Sequence, residues 1–315
     1  MCKRKAGCKP MRRCGPWWSS PGSWCSSARI DPTSLKPFTE PPMPTSHING
    51  IDLYYEEFGA GAPLVLVPGL GGTVESWRAQ IAHFQRRYRV IALDNRGSGR
   101  SSKPPGPYTM DEMAVDLAGL LDALDIAEPV HLVGASMGGV LVQCFIHHYP
   151  WRVAQLVLVS TGVAGGDPHI TFPSMAVLQR LAFPGTTPQQ RMQTLFGLYF
   201  HPQYLAAHPE VFDDAARLYA RIGAQPEHAT KAQLMAVQDS RPYYKWLGHI
   251  KVPVLVMHGE DDVVWPVKNA HTLARGIGTH AELALFEQAG HVLFHEKAVQ
   301  FNVRLEQFLE RPGQP

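Results

Sequence analysis

Gly134-x-Ser136-x-Gly138 is the stretch of this chain whose residue types and spacing could do covalent chemistry. The apolar run 130–133 before it reads as a buried strand. Val140, Leu141, Cys144, Phe145 and Ile146 after it read as the apolar side of a helix. A strand-to-helix turn this tight leaves no room for side chains two residues either side of the serine, and it lifts the hydroxyl above the sheet edge. It also sets the Met137 N–H at a helix N-terminus, where a developing oxyanion is stabilised. The pentapeptide alone recurs by chance in roughly one chain in ten of this length. The strand before it and the helix after it are what give it weight.

A serine attacks only when a base takes its proton and a further group orients that base. Two later stretches supply both. The strand pattern 254–257 runs into His258-Gly259-Glu260-Asp261-Asp262, and the pattern 283–286 runs into Glu287-Gln288-Ala289-Gly290-His291. Taken singly, an Asp after a strand is ordinarily a helix cap. A lone His is ordinarily structural, and the chain's 15 histidines make chance placement easy. Serine, acid and histidine in this order, each after a strand, form the sequence that such an elbow uses.

The elements that must hold these residues at one sheet edge are legible from residue 46 onward. Asn49-Gly50 between strand-like residues signals a hairpin. The run 63–68 is a buried strand, after which Gly69-Leu70-Gly71-Gly72-Thr73 opens a helix to about residue 84. A strand at 89–93, a helix at 110–124 with apolar residues three and four apart, and a strand at 153–159 continue the alternation. Strands alternating with helices imply parallel pairing with helices on both faces.

Between 160 and 246 that alternation stops. Thr187-Pro188-Gln189-Gln190 reads as a capped helix start, with Met192, Leu195, Phe196 and Tyr199 following at helical spacing, and further helices are expected at 209–222 and 227–238. The chain is therefore expected to be a core of residues 46–159 and 247–315 with a helical cap of residues 160–246 above the C-terminal strand ends, where substrates are enclosed. A strand at 252–257, a helix at 267–277, a strand at 281–286 and a helix to about 309 close the core.

From about residue 46 to 309 the chain resembles the α/β-hydrolase superfamily in its single-cap form. The resemblance rests on G-x-S-M-G-G at 134–139, on G-x-x-D-x-x-x-P matched by Gly259, Asp262 and Pro266, and on the pair Gly290-His291. D-x-R-G-x-G-x-S at 94–101 is a further family loop, read as structural. The resemblance implies a mostly parallel eight-stranded sheet with helices on both faces and a helical cap inserted after the sixth strand. It also implies Ser136 as nucleophile, His291 as base and Asp262, rather than Asp261, as the group orienting it. The first oxyanion donor of the family follows an H-G pair; here Pro68 replaces the histidine, so the Leu70 N–H is the expected donor beside that of Met137.

The reaction implied is acyl transfer to water, with no metal or organic cofactor. Trp77, Phe196, Trp265 and Val292 are the expected pocket residues, mostly apolar, which suits a small ester. A carboxylesterase-like hydrolase is the leading expectation. The spacing about residues 71–73 and 102–109 is also similar to 3-oxoadipate enol-lactonases, so a lactone substrate stands second, with Arg180, Arg191 and Arg241 as candidates to meet an anion. Carbon–carbon-bond hydrolases usually carry Trp after the histidine, where this chain has Val292. A low-turnover ligand-binding scaffold is the alternative from another class; it has no need of all three residues. Other glycine-rich readings fail: Val74 stands where a dinucleotide loop needs Gly, and no phosphate loop ending in Gly-Lys-Ser/Thr occurs.

Composition agrees with these expectations. Of the residues 45% are hydrophobic and 18% charged, and no run of eighteen apolar residues occurs. Residues 1–45 hold eight Lys/Arg against two acids, leaving 21 basic and 25 acidic residues in the remainder, which argues against a nucleic-acid-binding face. That first segment also carries Cys2, Cys8, Cys14 and Cys25 at spacings unsuited to zinc, and no apolar signal stretch. It is expected to be a disordered tail, with Met43 as a natural start, and the protein is expected to be cytoplasmic, acting on a small molecule without membrane or nucleic-acid partners. A histidine base must start neutral, so hydrolysis is expected to fall as pH drops through roughly 6.5, the ordinary imidazole value. A pH–rate profile flat between about pH 5 and 8 would overturn that assignment.

Overall fold

A strand covered on both faces needs apolar residues at nearly every position, and the runs read from the sequence fold that way. In the computed structural model, which describes residues 44–311 apart from 165, 239 and 242, they form one eight-stranded sheet. The tail expected over residues 1–45, with its four cysteines and Met43, lies up to residue 43 outside the described residues.

β1 (Thr45–Ile48) and β2 (Ile51–Phe58) make the hairpin about Asn49 and Gly50, whose φ of 48° and 77° supply the two left-handed residues of a tight hairpin turn. β3 (Ala62–Val67) leads through a 3₁₀ turn at Val74–Trp77 into α1 (Arg78–Phe84), and β4 (Tyr88–Leu93) follows. α2 (Met110–Ala123) starts where the Thr109 hydroxyl accepts from the Glu112 N–H. Next come β5 (Val130–Ala135), α3 (Met137–His148) and β6 (Val153–Val159). Among the described residues six helices then precede the next strand: α4 (Met175–Ala182), α5 (Pro188–Tyr199), α6 (Pro202–Ala207), α7 (Glu210–Ile222), α8 (Glu227–Gln238) and α9 (Tyr244–Leu247). β7 (Val254–Gly259), α10 (Lys268–Ile277), β8 (Ala281–Phe286), α11 (Leu293–Glu296) and α12 (Ala298–Leu309) complete the order.

The strand order is β1-β2-β4-β3-β5-β6-β7-β8, antiparallel for β1/β2 and β2/β4 and parallel from β4 to β8. Successive residues of a strand face opposite layers, and both layers are apolar here. Val65, Ile91, Leu132, Leu158 and Val256 pack with α2, α3 and α10, while Leu64, Val90, Val133, Val157 and Leu255 pack with α1 and α12. No helix among the described residues is long and apolar enough to cross a membrane.

Differences from the sequence reading concern short or exposed pieces. The strand expected at 252–257 is β7 at Val254–Gly259, its start delayed past Pro253. α4, α6 and α9 have no counterpart in the periodicity, because four to eight residues give too few turns to set a stripe. The Met192, Leu195, Phe196 and Tyr199 stripe is half-buried, and Leu198 is the buried residue of α5. The capping box at Thr187 and Gln190 forms as expected.

Residues 94–101 hold β4 to the loop after β3. The wholly buried Asp94 carboxylate accepts from the Val74 N–H at 2.7 Å and the Arg100 N–H at 2.8 Å, while the Ser101 hydroxyl donates to the Asp94 carbonyl. Arg96 forks onto Asp116 at 2.7 and 2.8 Å. Asp94→Ala would leave the Val74 and Arg100 N–H donors without their acceptor and remove one of the three carboxylates around the Arg100 guanidinium. It is expected to lower the free energy of unfolding by about 3 kcal/mol or more, measured by chemical denaturation; a loss below about 1 kcal/mol would show that the loop is held by other contacts.

Candidate active site

Ser136 is a non-glycine residue at φ 54°, ψ −120°, between β5 and the first turn of α3. Only close backbone packing allows it: a Cβ on Gly134 would lie 2.4 Å from the Gly138 carbonyl oxygen, and one on Gly138 would lie 2.4 Å from that of Val67. The Ser136 N–H still extends the sheet, bonding to the Val159 carbonyl, and the Thr161 hydroxyl donates to the Ser136 carbonyl. The turn is thus fixed from both neighbouring strands.

The loops after β7 and β8 meet the serine hydroxyl. His291 Nε2 lies 3.0 Å from Ser136 Oγ, and His291 Nδ1 lies 2.9 Å from Asp262 Oδ2. The other Asp262 oxygen accepts from the Val264 and Trp265 N–H groups at 2.8 and 2.9 Å. Burial alone would raise this carboxyl, but the charge of His291 and hydrogen bonds from His258 and His291 outweigh it and hold Asp262 well below the usual carboxylate range. Asp261 points elsewhere: it is exposed, with its carboxylate 3.8 Å from His201 Nε2.

The loop after β3 lies against the same serine. A Cβ on Gly69 would be 3.0 Å from the Ser136 Cβ. With Pro68 in place of a histidine, the loop is held through its backbone: Asn95 Nδ2 donates to the Pro68 carbonyl, the Gly72 N–H to that of Gly69, and the Gly71 N–H to Gln233 Oε1. The Leu70 N–H has no acceptor among the described residues, and the Met137 N–H is an orphan donor of the first turn of α3. Together these loops bring a serine hydroxyl, a histidine whose ring is oriented by a carboxylate, and two N–H groups without acceptors among the described residues to one edge of the sheet.

The model of the alpha/beta hydrolase fold family matches residues 62–298. The chain belongs to that family. It is similar to 3-oxoadipate enol-lactonase 2 of Acinetobacter baylyi, with 33% identity over 263 residues covering 83% of this chain and 94% of the relative. It is also similar to a putative carbamate hydrolase of Azorhizobium caulinodans, with 32% identity over 236 residues covering 75% and 86%. Among solved structures it is similar to a thermophilic esterase from Thermogutta terrifontis, at TM-score 0.70 and 28% identity, covering 82% of this chain and 93% of that one.

Within this α/β-hydrolase the expected pocket residues are placed unevenly. Trp77 is a correction. It is fully buried, stacked on Phe294 with ring centroids 4.7 Å apart, in the layer formed with α1 and α12. The 3₁₀ turn that ends at Trp77 drops its side chain into the core. Trp265 is half-buried and covers Gly162, where a Cβ would meet its ring at 2.6 Å. Phe196 packs on Phe200 and Phe212 of the inserted helices, and the ring of those helices that faces His291 is Tyr199, at 5.6 Å. Val292 donates its N–H to the Tyr199 carbonyl, tying α5 to the histidine loop. Cys144 is buried, and burial pushes its thiol up to about 12. Its sulfur, with Asp111 and His148, makes a group within 4.8 Å that could hold a metal, but His148 already bonds Asp111 at 2.6 Å, at the end of α3 opposite Ser136.

Sequence reasoning missed three contributors. His258 is fully buried, with Nε2 2.6 Å from the Trp265 carbonyl and 3.3 Å from Asp262 Oδ2; its spacing of four from Asp262 was the available signal. Gln233 carried no signal at all. Glu296 accepts the Gly290 N–H on both oxygens, at 3.1 and 3.2 Å, and so anchors the residue before His291.

Burial raises the Glu296 carboxyl to about 7, against the Gly290 and His201 N–H groups that favour its charged form. A carboxyl raised on folding holds its proton more tightly in the native state. Its contribution to stability is therefore whole below about 4.5 and is lost as pH rises through about 7. Glu296→Gln keeps an acceptor for Gly290 without that loss. Between about pH 5 and 8 its Tm is expected to gain on the parent by roughly 2–4 °C; a difference independent of pH would refute the account.

Proposed function

We propose that the protein hydrolyses a small, largely apolar carboxylic ester through an acyl-enzyme on Ser136. The observation that carries this is the unbroken hydrogen-bonded line from Ser136 Oγ through both nitrogens of His291 to Asp262. As Oγ bonds to the ester carbonyl carbon, His291 Nε2 takes the hydroxyl proton, and Asp262 stabilises the imidazolium. The Leu70 and Met137 N–H groups receive the oxyanion, each worth on the order of 10²–10³ in rate. Collapse of the tetrahedral intermediate breaks the bond to the alcohol oxygen, which leaves with the proton from His291. Water then repeats the sequence on the acyl group and frees the acid and Ser136. The helices between β6 and β7 border these groups through Tyr199, whose ring centroid lies 5.6 Å from that of His291.

A lactone substrate is the second reading, favoured by the 33% identity with 3-oxoadipate enol-lactonase 2 along 94% of that relative. Hydrolysis of a lactone uses the same groups, since a lactone is an ester whose alcohol remains attached. The three arginines considered for an anionic substrate are exposed and engaged elsewhere: Arg180 beside the Thr194 carbonyl, Arg191 on that of Gly185, and Arg241 at 3.7 Å from Asp111. This supports an uncharged substrate over an anionic one.

Steady-state and burst hydrolysis of p-nitrophenyl acetate and longer acyl homologues tests the reading. Ser136→Ala is expected to lose about 10⁴-fold or more of turnover while remaining folded. Equal turnover in wild type and variant would remove Ser136 from the chemistry. Turnover of lactones but of no open-chain ester would select the second reading.

A further inference from the structure

Four peptide units join Pro68 to Gly72, and each carries a hydrogen bond that sets its orientation. The Pro68 carbonyl is held by Asn95 and the Gly69 carbonyl by the Gly72 N–H. Because a trans peptide points its C=O and N–H in opposite directions, the second of these bonds turns the Leu70 N–H away from the turn interior. The unit that follows, between Leu70 and Gly71, is held from outside the loop. Its N–H donates at 3.1 Å to Gln233 Oε1, a side chain 162 residues away on α8.

Gln233 is fully buried, and its amide is fully used. Oε1 also accepts from Gln225 Nε2 at 2.9 Å, and Nε2 donates to the Arg96 carbonyl at 2.6 Å and the Ser98 hydroxyl at 2.9 Å. Four bonds saturate a primary amide, so neither a flip nor a swing is free of cost. Arg96 is itself clamped to Asp116. A continuous polar line therefore runs from α2 through the 94–101 loop and α8 to the peptide beside Leu70.

We propose that Gln233 is a positioning residue for the reaction: by fixing the Leu70–Gly71 peptide from α8, it holds the 69–72 turn whose Gly69–Gly72 bond directs the Leu70 N–H toward the oxyanion, and the oxyanion site is complete only while α8 is seated. The inference rests on the hydrolase reading above. If Gln233 only stapled α8 to the core, its loss would loosen substrate binding and stability without slowing acylation.

The test compares wild type, Gln233→Leu and Gln233→Glu for the p-nitrophenyl ester burst rate, KM and amide hydrogen exchange at residues 69–72. Gln233→Leu is expected to slow acylation by about 10–100-fold, part of the loss that follows removal of an oxyanion donor. KM should stay within about threefold of wild type, and exchange at residues 69–72 should quicken. Gln233→Glu keeps an acceptor for Gly71 and, because burial against the Arg96 carbonyl favours the protonated acid, a donor for that carbonyl; it is expected to recover the burst rate to within about fivefold of wild type. If Gln233→Leu does not fold, Gln233→Asn, one methylene too short to reach Gly71, replaces it under the same criteria. A raised KM with an unchanged burst rate would overturn the proposal, as would a Gln233→Glu variant no faster than Gln233→Leu. If wild type itself turns over no ester or lactone, the hydrolase reading fails first and takes this inference with it.

Discussion

The structure turns on one constraint, the left-handed backbone of Ser136 between a buried strand and a buried helix. A non-glycine residue in that region costs on the order of 1–3 kcal/mol and persists only where its surroundings over-determine it. Here they do. β5 pairs with β3 and β6 on either side, the Ser136 N–H continues the β6 ladder, and Gly134 and Gly138 let the backbone approach to distances that no side chain would permit. The strain sits on a rigid support, so the hydroxyl has one position, and the loops after β3, β7 and β8 close on it.

The inserted helices are more than a roof. They reach the candidate site at two separate places: the Tyr199 carbonyl takes the Val292 N–H beside His291, and Gln233 takes the Gly71 N–H beside Leu70. His291 and Leu70 lie on different core loops, and each loop is bonded by a different inserted helix. A displaced α5 or α8 would thus disturb the loops that carry His291 and Leu70.

What the sequence disclosed follows a physical rule. Doubly covered strands write themselves as apolar runs, and the elbow writes itself as two glycines about a serine, because in both cases the demand is local. Asp262 was separable from Asp261 by spacing, and the two do point apart, one onto His291 and one toward His201. Gln233 and Glu296 act across 162 and 6 residues respectively, and their partners are backbone N–H groups, which every non-proline residue has. No pattern of residue types can mark such a contact. Trp77 was misplaced for a related reason: nearness in sequence to a reactive loop says nothing of which layer a side chain enters, and a 3₁₀ turn sent this one under the sheet.

β6 and β7 are neighbours in the sheet, and the whole run of inserted helices leaves from one and returns to the other. Because the two strands are parallel, the run leaves the C-terminal end of β6 and the chain re-enters at the N-terminal end of β7; strand length and the strand spacing of about 4.8 Å fix both points, and closing a longer or shorter loop across them changes the free energy only slowly with length. The sheet can thus exchange one insertion for another at little cost to its own folding, a modularity that lets substrate preference diverge while the elbow stays unchanged. A transplanted segment would have to meet one demand from below: an acceptor placed over Gly71.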